Sequence, residues 1–163
     1  MNYIDGIVKE KFAELFPNIE IVEGGFGEVN DAENVASALL QKHPDIKGFY
    51  ASFAFPAQLA ALACQSADRD DIVIVTQGAD SPILIKLLTP GENISAVIST
   101  MPYLIGVNHV LLGAYGVLDK PAPEYVLSPA TWFTPENIRE VWNLSLRIPI
   151  PDNLEETLQK IGQ

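Results

Sequence analysis

The sequence has a single cysteine, Cys64, and this scarcity excludes an internal disulfide and any zinc site built from cysteines. Cys64 stands in an alanine-rich helical stretch, which favours a small buried apolar residue over a reactive thiol. Histidine is almost as rare, because His43 and His109 are the only two and neither belongs to a metal-binding HExxH pattern. The sequence therefore predicts no metal site.

Positive charge and long apolar runs are also scarce. There are 10 basic side chains against 21 acidic ones, and the resulting net charge of −11 argues against binding to nucleic acid or to an anionic membrane surface. No apolar run reaches the roughly 18 residues that span a bilayer. The first residues, MNYIDGIVKEK, lack the apolar core of a signal peptide, so this stretch does not itself indicate a compartment.

Motifs of catalysis and of nucleotide binding are missing as well. The glycines of Gly24-Gly25-Phe26-Gly27 do not have the spacing of a dinucleotide-binding or phosphate-binding loop, so a flexible loop is the better interpretation. No serine occupies a nucleophile-elbow pattern, and no nucleophile, base and orienting group come together. We therefore expect a protein that is not an enzyme and needs no cofactor.

What the sequence does contain is an alternation of strand-like and helix-like segments. Apolar runs of strand length occur at residues 19–23, 46–51, 72–76, 94–99 and 125–127. Helical patterns lie at residues 2–16, 30–40, 56–66 and 102–115. A short helical pattern ends at residue 88, and two further ones begin at residues 134 and 152. This alternation predicts an α/β fold with a mainly parallel sheet flanked by helices.

The fold predicted in this way looks incomplete at its N-terminus. The chain begins on an amphipathic helix, over residues 2–16, whose apolar face needs a sheet that is already in place. A preceding strand is therefore expected to be missing. Because a sheet without a central strand exposes an edge, we expect this chain to pair with itself or to exchange elements with a second copy.

Aromatic and small polar residues recur in the loops that follow the predicted strands. They are Phe26, Ser52, Phe53, Phe55, Gln77, Asp80, Thr100 and Tyr103. Ligands of open α/β sheets bind at the carboxyl ends of the strands, in sites that are commonly apolar with a few polar groups. These residues predict a small-molecule site, and the alternative is that the phenylalanines only pack strands against helices.

The order of the segments resembles the type 1 periplasmic binding proteins, a family that includes ribose-binding protein and the sugar-sensing domains of LacI-type repressors. The resemblance covers residues 1 to about 140 and rests on four stretches, HPDIKGFYAS, DIVIVTQGAD, NISAVISTMPYLIG and YVLSPATWFTPEN. The PxxxG pattern from Pro102 to Gly106 and the later TPEN look like the branch that serves ABC transporters.

The resemblance implies a Rossmann-like lobe of a two-lobed protein that holds its ligand between the lobes. It implies that residues 1–100 form the C-terminal lobe without its first strand, that residues 101–128 return toward the N-terminal lobe, and that residues 129–163 form a crossing segment and tail. The body of the N-terminal lobe is absent from this sequence, so either a longer chain or a partner would supply it.

The family's polar ligand contacts are mostly replaced in this sequence. Phe53-Ala54 stand where the family usually has an Asn-Asp pair, Gly78 stands in place of an aspartate, and Thr100 in place of a glutamine. Because a buried polar group left without a partner costs about 1–3 kcal/mol, these changes argue against a simple sugar. They suit a more apolar or aromatic ligand, or one that depends more on the other lobe.

The resemblance implies a solute-binding component of an ABC importer, which closes around its ligand by a hinge motion and is presented to a membrane permease. Its location would be periplasmic, or extracellular as a lipoprotein. The alternative is the ligand-sensing domain of a LacI-type transcription regulator. In the first case, aromatic walls and hydrogen bonds to the ligand would come from Phe26, Ser52, Phe53, Gln77, Asp80 and Thr100.

Overall fold

A small mixed sheet and the helices around it make up the computed structural model, which describes residues 3–163, with side chains from residue 5 onward. The strands are β1 (Gly48–Ala51), β2 (Val73–Gln77), β3 (Ile94–Ser99) and β4 (Thr131–Phe133). The helices are α1 (Tyr3–Leu15), α2 (Ala32–Lys42), α3 (Ala54–Ser66), α4 (Ser81–Leu88), α5 (Pro102–Val117), α6 (Ile138–Leu146) and α7 (Asp152–Lys160), and a 3-10 turn at Val29–Asp31 precedes α2.

The strands lie in the order β1-β2-β3-β4, with β1, β2 and β3 parallel and β4 antiparallel to β3. This arrangement confirms the predicted α/β fold with a mainly parallel sheet. The pairing of Ala51 with Thr76, and of Gln77 with Ile98, brings the carboxyl ends of the three parallel strands to one edge. Any site formed by the loops after these strands lies at that edge.

The core lies where α3 packs against β1 and β2. The small side chains of Ala57 and Ala61 are fully buried, which lets the helix backbone come close to the fully buried Ile74 of β2. Cys64 is also fully buried in α3, as expected from its surroundings, and burial raises the pKa of its thiol to about 11. At neutral pH this thiol is therefore protonated and inert.

The remaining helices extend this core. Helix α2 packs on α3, α4 packs against β3, and α7 covers α4 with the buried side chains of Leu154 and Leu158. None of the helices in the described part of the chain has both the length and the apolar character that crossing a bilayer requires.

Two predicted strands are wrong. Residues 19–23 are extended but form no strand, and residues 125–127 form none either. Both runs have strand-like composition, yet a strand also needs a neighbour, and β1 pairs with β2 alone. The side chains of Ile19, Ile21, Tyr125 and Leu127 are consequently exposed.

Other boundaries differ by a few residues. The first helix spans Tyr3–Leu15, and residue 2 of its predicted range lies outside the described residues. The strand predicted over 46–51 begins at Gly48, because the Ile46 N–H donates to the His43 carbonyl in a turn. The helix predicted from residue 134 begins at Ile138. Directly before it, the Thr134 N–H donates a hydrogen bond to the side-chain oxygen of Asn137.

Candidate ligand-binding site

Side-chain hydrogen bonds join the end of β2 to the end of β1 and to the loop that follows β1. Gln77 Nε2 donates to the Ser52 carbonyl at 2.6 Å, and Thr76 Oγ1 donates to the Ala51 carbonyl at 3.0 Å. Because the carbonyl can only accept, the amide of Gln77 must turn its NH2 toward Ser52 and its oxygen away. Two predicted site residues, Ser52 and Gln77, are thus in direct contact.

A third element reaches the same place. Ser52 Oγ donates to Oδ1 of Asp5 at 2.7 Å, so the first turn of α1 is tied to the loop that follows β1. Burial, and secondarily the charge of Asp5, raise the pKa of Tyr50 on β1. Asp5 was missed in the sequence analysis, because an acidic residue in the first turn of a helix is common for reasons of helix stability alone.

The close approach of α3 to the end of β2 depends on Gly78. A Cβ at this position would lie 3.0 Å from the Cβ of Ala54, the first residue of α3. The Gly78 N–H donates to the Ile98 carbonyl at 2.9 Å, so pairing with β3 continues beyond the end of β2. A glycine here holds the loops after β1 and β2 close together.

Asp80 and Thr100 lie at the same edge, but no hydrogen bond among the described residues joins them to Ser52 or Gln77. Asp80 is exposed and caps α4, because its Oδ1 accepts from the Ile83 N–H at 3.1 Å. Thr100 is half-buried directly after β3. Asp80 thus follows the end of β2 by three residues, and Thr100 follows the end of the neighbouring strand β3 directly.

The predicted aromatic residues are open to solvent. Phe53 is the N-cap of α3 and is 47% exposed, and Phe55, Phe26 and Tyr103 are exposed to a similar degree. Phe26 lies in the loop before the 3-10 turn that packs on α3, and no ring contact in the described part of the chain links it to Phe53. Phenylalanines that served only to pack strands against helices would be buried. The exposure of Phe53 therefore favours the predicted ligand contact over the packing alternative.

Shallow concavities in the surface occur elsewhere, on α5. One of about 520 Å³ is almost entirely apolar and is lined by Pro102, Tyr103, Gly106, Val107, Val110 and Leu111. A second, of about 290 Å³, lies against the segment after α5, where Asn108 Nδ2 donates to Ser128 Oγ at 3.3 Å. No residue of α5 is buried among the described ones. Both hollows lie on an uncovered helix face, and the first of them lacks the convergent polar groups of a ligand site.

Polar and aromatic side chains occupy the strand-end edge. Its hydrogen-bonding groups are the side chains of Ser52, Gln77, Asp80 and Thr100, and its walls are aromatic. Among the residues that the structure describes, no group of three or more acidic, histidine or cysteine side chains could hold a metal ion.

Solved structures with a similar fold include solute-binding proteins of transporters. The 5-methylthioribose transporter solute-binding protein of Thermotoga lettingae matches 95% of this chain with a TM-score of 0.71 at 16% identity, over 54% of its own length. An ABC transporter solute-binding protein from Agrobacterium vitis, with bound allitol, matches 85% of the chain with a TM-score of 0.70 at 22% identity, over 50% of its own length.

A third similar structure is GanP, a glucose-galactose binding protein from Geobacillus stearothermophilus. It matches 76% of this chain with a TM-score of 0.66 at 26% identity, over 45% of its own length. The chain has the type I periplasmic binding protein fold. No protein-family model matches the sequence, and no curated protein matches it.

The chain spans about half the length of the periplasmic binding proteins that it resembles. Those proteins share the order of its helices and parallel strands at low sequence identity, so the likeness concerns the fold. The binding-protein fold explains why the polar and aromatic residues gather at one edge of the sheet.

Proposed function

We propose that this chain is the C-terminal part of a solute-binding component of an ABC importer and forms one wall of its ligand cleft. The observation that carries this proposal is the joined pair of Ser52 and Gln77 beside the exposed ring of Phe53, on the edge where binding-protein folds hold ligands. A binding role, without catalysis, agrees with the transport function named for the similar structures.

The division of the chain proposed here follows the resemblance. Residues 1–100 belong to the C-terminal lobe, residues 101–128 return toward the other lobe, and residues 129–163 form a crossing segment and tail. The uncovered face of α5, which lies in the returning segment, supports this division because an apolar helix face of this kind normally packs against something. The N-terminal lobe or a second copy of the chain would cover it.

Several residues have proposed roles at the site. Phe53 and Phe26 supply aromatic or apolar walls, Gln77, Asp80 and Thr100 offer hydrogen bonds, and Ser52 is held in place between Asp5 and Gln77. Phe53, Asp80 and Thr100 lie in the segments that directly follow the strands, whereas Phe26 lies in the loop before the 3-10 turn. Hinge closure of the two lobes would bring the second wall onto the ligand.

The ligand proposed for this cleft is a hydroxyl-bearing small molecule that also carries an apolar group. The hydroxyls suit the oxygen atoms of Gln77, Asp80 and Thr100, and the apolar part suits Phe53. One similar protein binds 5-methylthioribose and another binds allitol, which spans the chemistry expected. The net charge of −11 argues against nucleic acid as a partner of this region.

The partners and the location also follow from the proposed role. The closed, liganded form would be recognised by an ABC permease, and the protein would be periplasmic or an extracellular lipoprotein. The regulator alternative is not favoured by any contact in the structure, and the similar structures are transport proteins.

Calorimetric titration of the longest natural protein that contains this chain tests the binding role. With 5-methylthioribose as the probe, we expect saturable binding that Phe53→Ala weakens about tenfold, because an exposed ring contributes contact area to the ligand without supporting the core. Phe16→Ala is the matched control, since Phe16 is similarly exposed but lies beyond the end of α1. Equal affinity for the two variants would contradict the assigned role of Phe53.

A further inference from the structure

Met101 connects β3 to α5 with a left-handed backbone, at φ 55° and ψ 62°. This region is unfavourable for residues that carry a Cβ, and glycine or asparagine usually occupies it. Pro102 follows, and a residue before proline prefers an extended conformation. Two local effects therefore disfavour the left-handed conformation of Met101, and the surrounding structure must stabilise it.

A closed cycle of hydrogen bonds holds it. The Met101 N–H donates to Ser99 Oγ at 3.3 Å, the Ser99 hydroxyl donates to Ser145 Oγ at 2.7 Å, and the Ser145 hydroxyl donates to Met101 Sδ at 3.4 Å. Both serines are fully buried. The backbone and the side chain of Met101 are thus fixed by the same two hydroxyl groups, whose protons are both used within the cycle.

The cycle joins two distant parts of the chain at the strand-end edge. Ser145 belongs to α6, whereas Thr100, a candidate site residue, lies between Ser99 and Met101. A second contact lies beside the cycle, because the guanidinium of Arg147 is 5.3 Å from the centroid of the Tyr103 ring. The end of α6 therefore holds the start of α5 at two adjacent points.

We propose that Ser145 is a positioning residue, which keeps Met101 left-handed through this cycle and so sets the place of Thr100 and the direction in which α5 leaves the sheet. The assignment rests on the proposed function in one respect, namely that Thr100 contacts the ligand. Helix α5 has no buried residue of its own among those described, so its direction depends on this junction. Without the Ser145 hydroxyl, Met101 relaxes toward the extended geometry that precedes proline, and α5 turns with it.

Methionine-methyl NMR observes this residue directly, because the sequence has two methionines, Met1 and Met101. With carbon-13 in the methionine methyl groups of this chain, we expect one Met101 resonance in the wild type. In Ser145→Ala we expect a second one with roughly a tenth or more of the intensity, from the relaxed conformer. Ser95→Ala, at an exposed serine of the same strand, is the control and should show one resonance.

A single Met101 resonance in a folded Ser145→Ala variant would overturn the proposal. Should that variant not fold, Met101→Leu provides the second measurement, because it removes the sulfur acceptor and leaves both serines in place. The Ile105 N–H bonds to the Met101 carbonyl at 3.1 Å, and we expect its hydrogen exchange to become about tenfold faster in Met101→Leu. Unchanged exchange would overturn the proposal equally. Neither measurement involves a ligand, so the result is independent of whether the proposed function is correct.

Discussion

The side-chain amide of Gln77 lies 2.6 Å from the backbone carbonyl of Ser52 and ties the loop after β1 to the end of β2. We expect Gln77→Ala to lower the free energy of unfolding by about 1–3 kcal/mol, because a partly buried carbonyl loses its donor. Urea unfolding measures this loss. Gln65→Ala is the control, since the side chain of Gln65 bonds only to Glu92, at the exposed surface, among the described residues. A loss no larger than that of the control would show that the link between the loops is not stabilising.

Gly78 predicts a second change in stability. In Gly78→Ala the new Cβ meets the Cβ of Ala54 at 3.0 Å, so α3 has to move away from β2, and we expect a loss of about 1–3 kcal/mol in urea unfolding. Gly106→Ala is the matched control, because nothing lies within 4 Å of its Cβ and alanine favours a helix interior. That variant should gain about 0.5–1 kcal/mol. The same sign of effect at both positions would contradict the account of Gly78.

The ion pairs of Asp71 lie at the edge of the sheet opposite the carboxyl ends of the parallel strands, and they predict how stability depends on pH. Arg69, and then Lys47, hold the pKa of Asp71 well below its usual value of about 3.8. A carboxyl group whose pKa is lowered by folding stabilises the protein above its unfolded pKa and loses that contribution as the pH falls toward the folded pKa. The contribution of Asp71 should therefore be fully present above about pH 4 and decline below it.

Asp71→Asn should consequently lower the free energy of unfolding at about pH 6 and flatten its decline below about pH 4. Urea unfolding of the wild type and the variant over a series of pH values measures both effects. Asp70→Asn, at the neighbouring exposed carboxyl group, is the control. A decline below pH 4 that is as steep in Asp71→Asn as in the wild type would assign the acid sensitivity to other groups.

The uncovered surfaces predict self-association of this 163-residue chain. Among the described residues, strand β1 has a neighbour on one side only, and the face of α5 around Val107 and Leu111 is apolar and carries no charged residue. Light scattering after size exclusion should therefore give a mass above that of one chain, rising with concentration.

Leu111→Glu should lower that mass, because it places a charge in the apolar face, whereas Leu62→Glu on α3 should change it little. A concentration-independent monomer would contradict the expectation from both surfaces. If Leu62→Glu alone lowered the mass, the contact between copies would lie on α3 and not on α5.

Much of the sheet could be predicted from local sequence. The runs that became β1, β2 and β3 are rich in β-branched and aromatic residues and are bounded by turn residues, so their local preference and their tertiary place agree. Residues 19–23 and 125–127 have the same preference but no partner strand, and they stay outside the sheet. The strand Thr131–Phe133 also has strand-forming residues, but with three residues it is too short for the sequence pattern to indicate it, and it pairs with β3.

The site could be predicted only in part for the same reason. Ser52 and Thr100 follow strands and Gln77 ends one, so their common edge is a consequence of parallel pairing that the sequence pattern already indicates. The contact between Asp5 and Ser52 joins residues that are 47 positions apart and depends on where α1 packs. The hydrogen-bond cycle around Met101 is likewise non-local, and no motif in the sequence announces it.

Calorimetric titration of the longest natural protein that contains this chain with two ligand series tests the central claim most directly. One series consists of plain sugars and polyols, namely ribose, arabinose and allitol, and the other of hydroxyl-bearing molecules with an apolar group, with 5-methylthioribose as the first member. The exposed ring of Phe53 and the few polar groups at the strand ends predict saturable binding that is tighter in the second series. Tighter binding of a plain pentose or hexose would contradict the account of the cleft, and no binding of either series would contradict the proposed function.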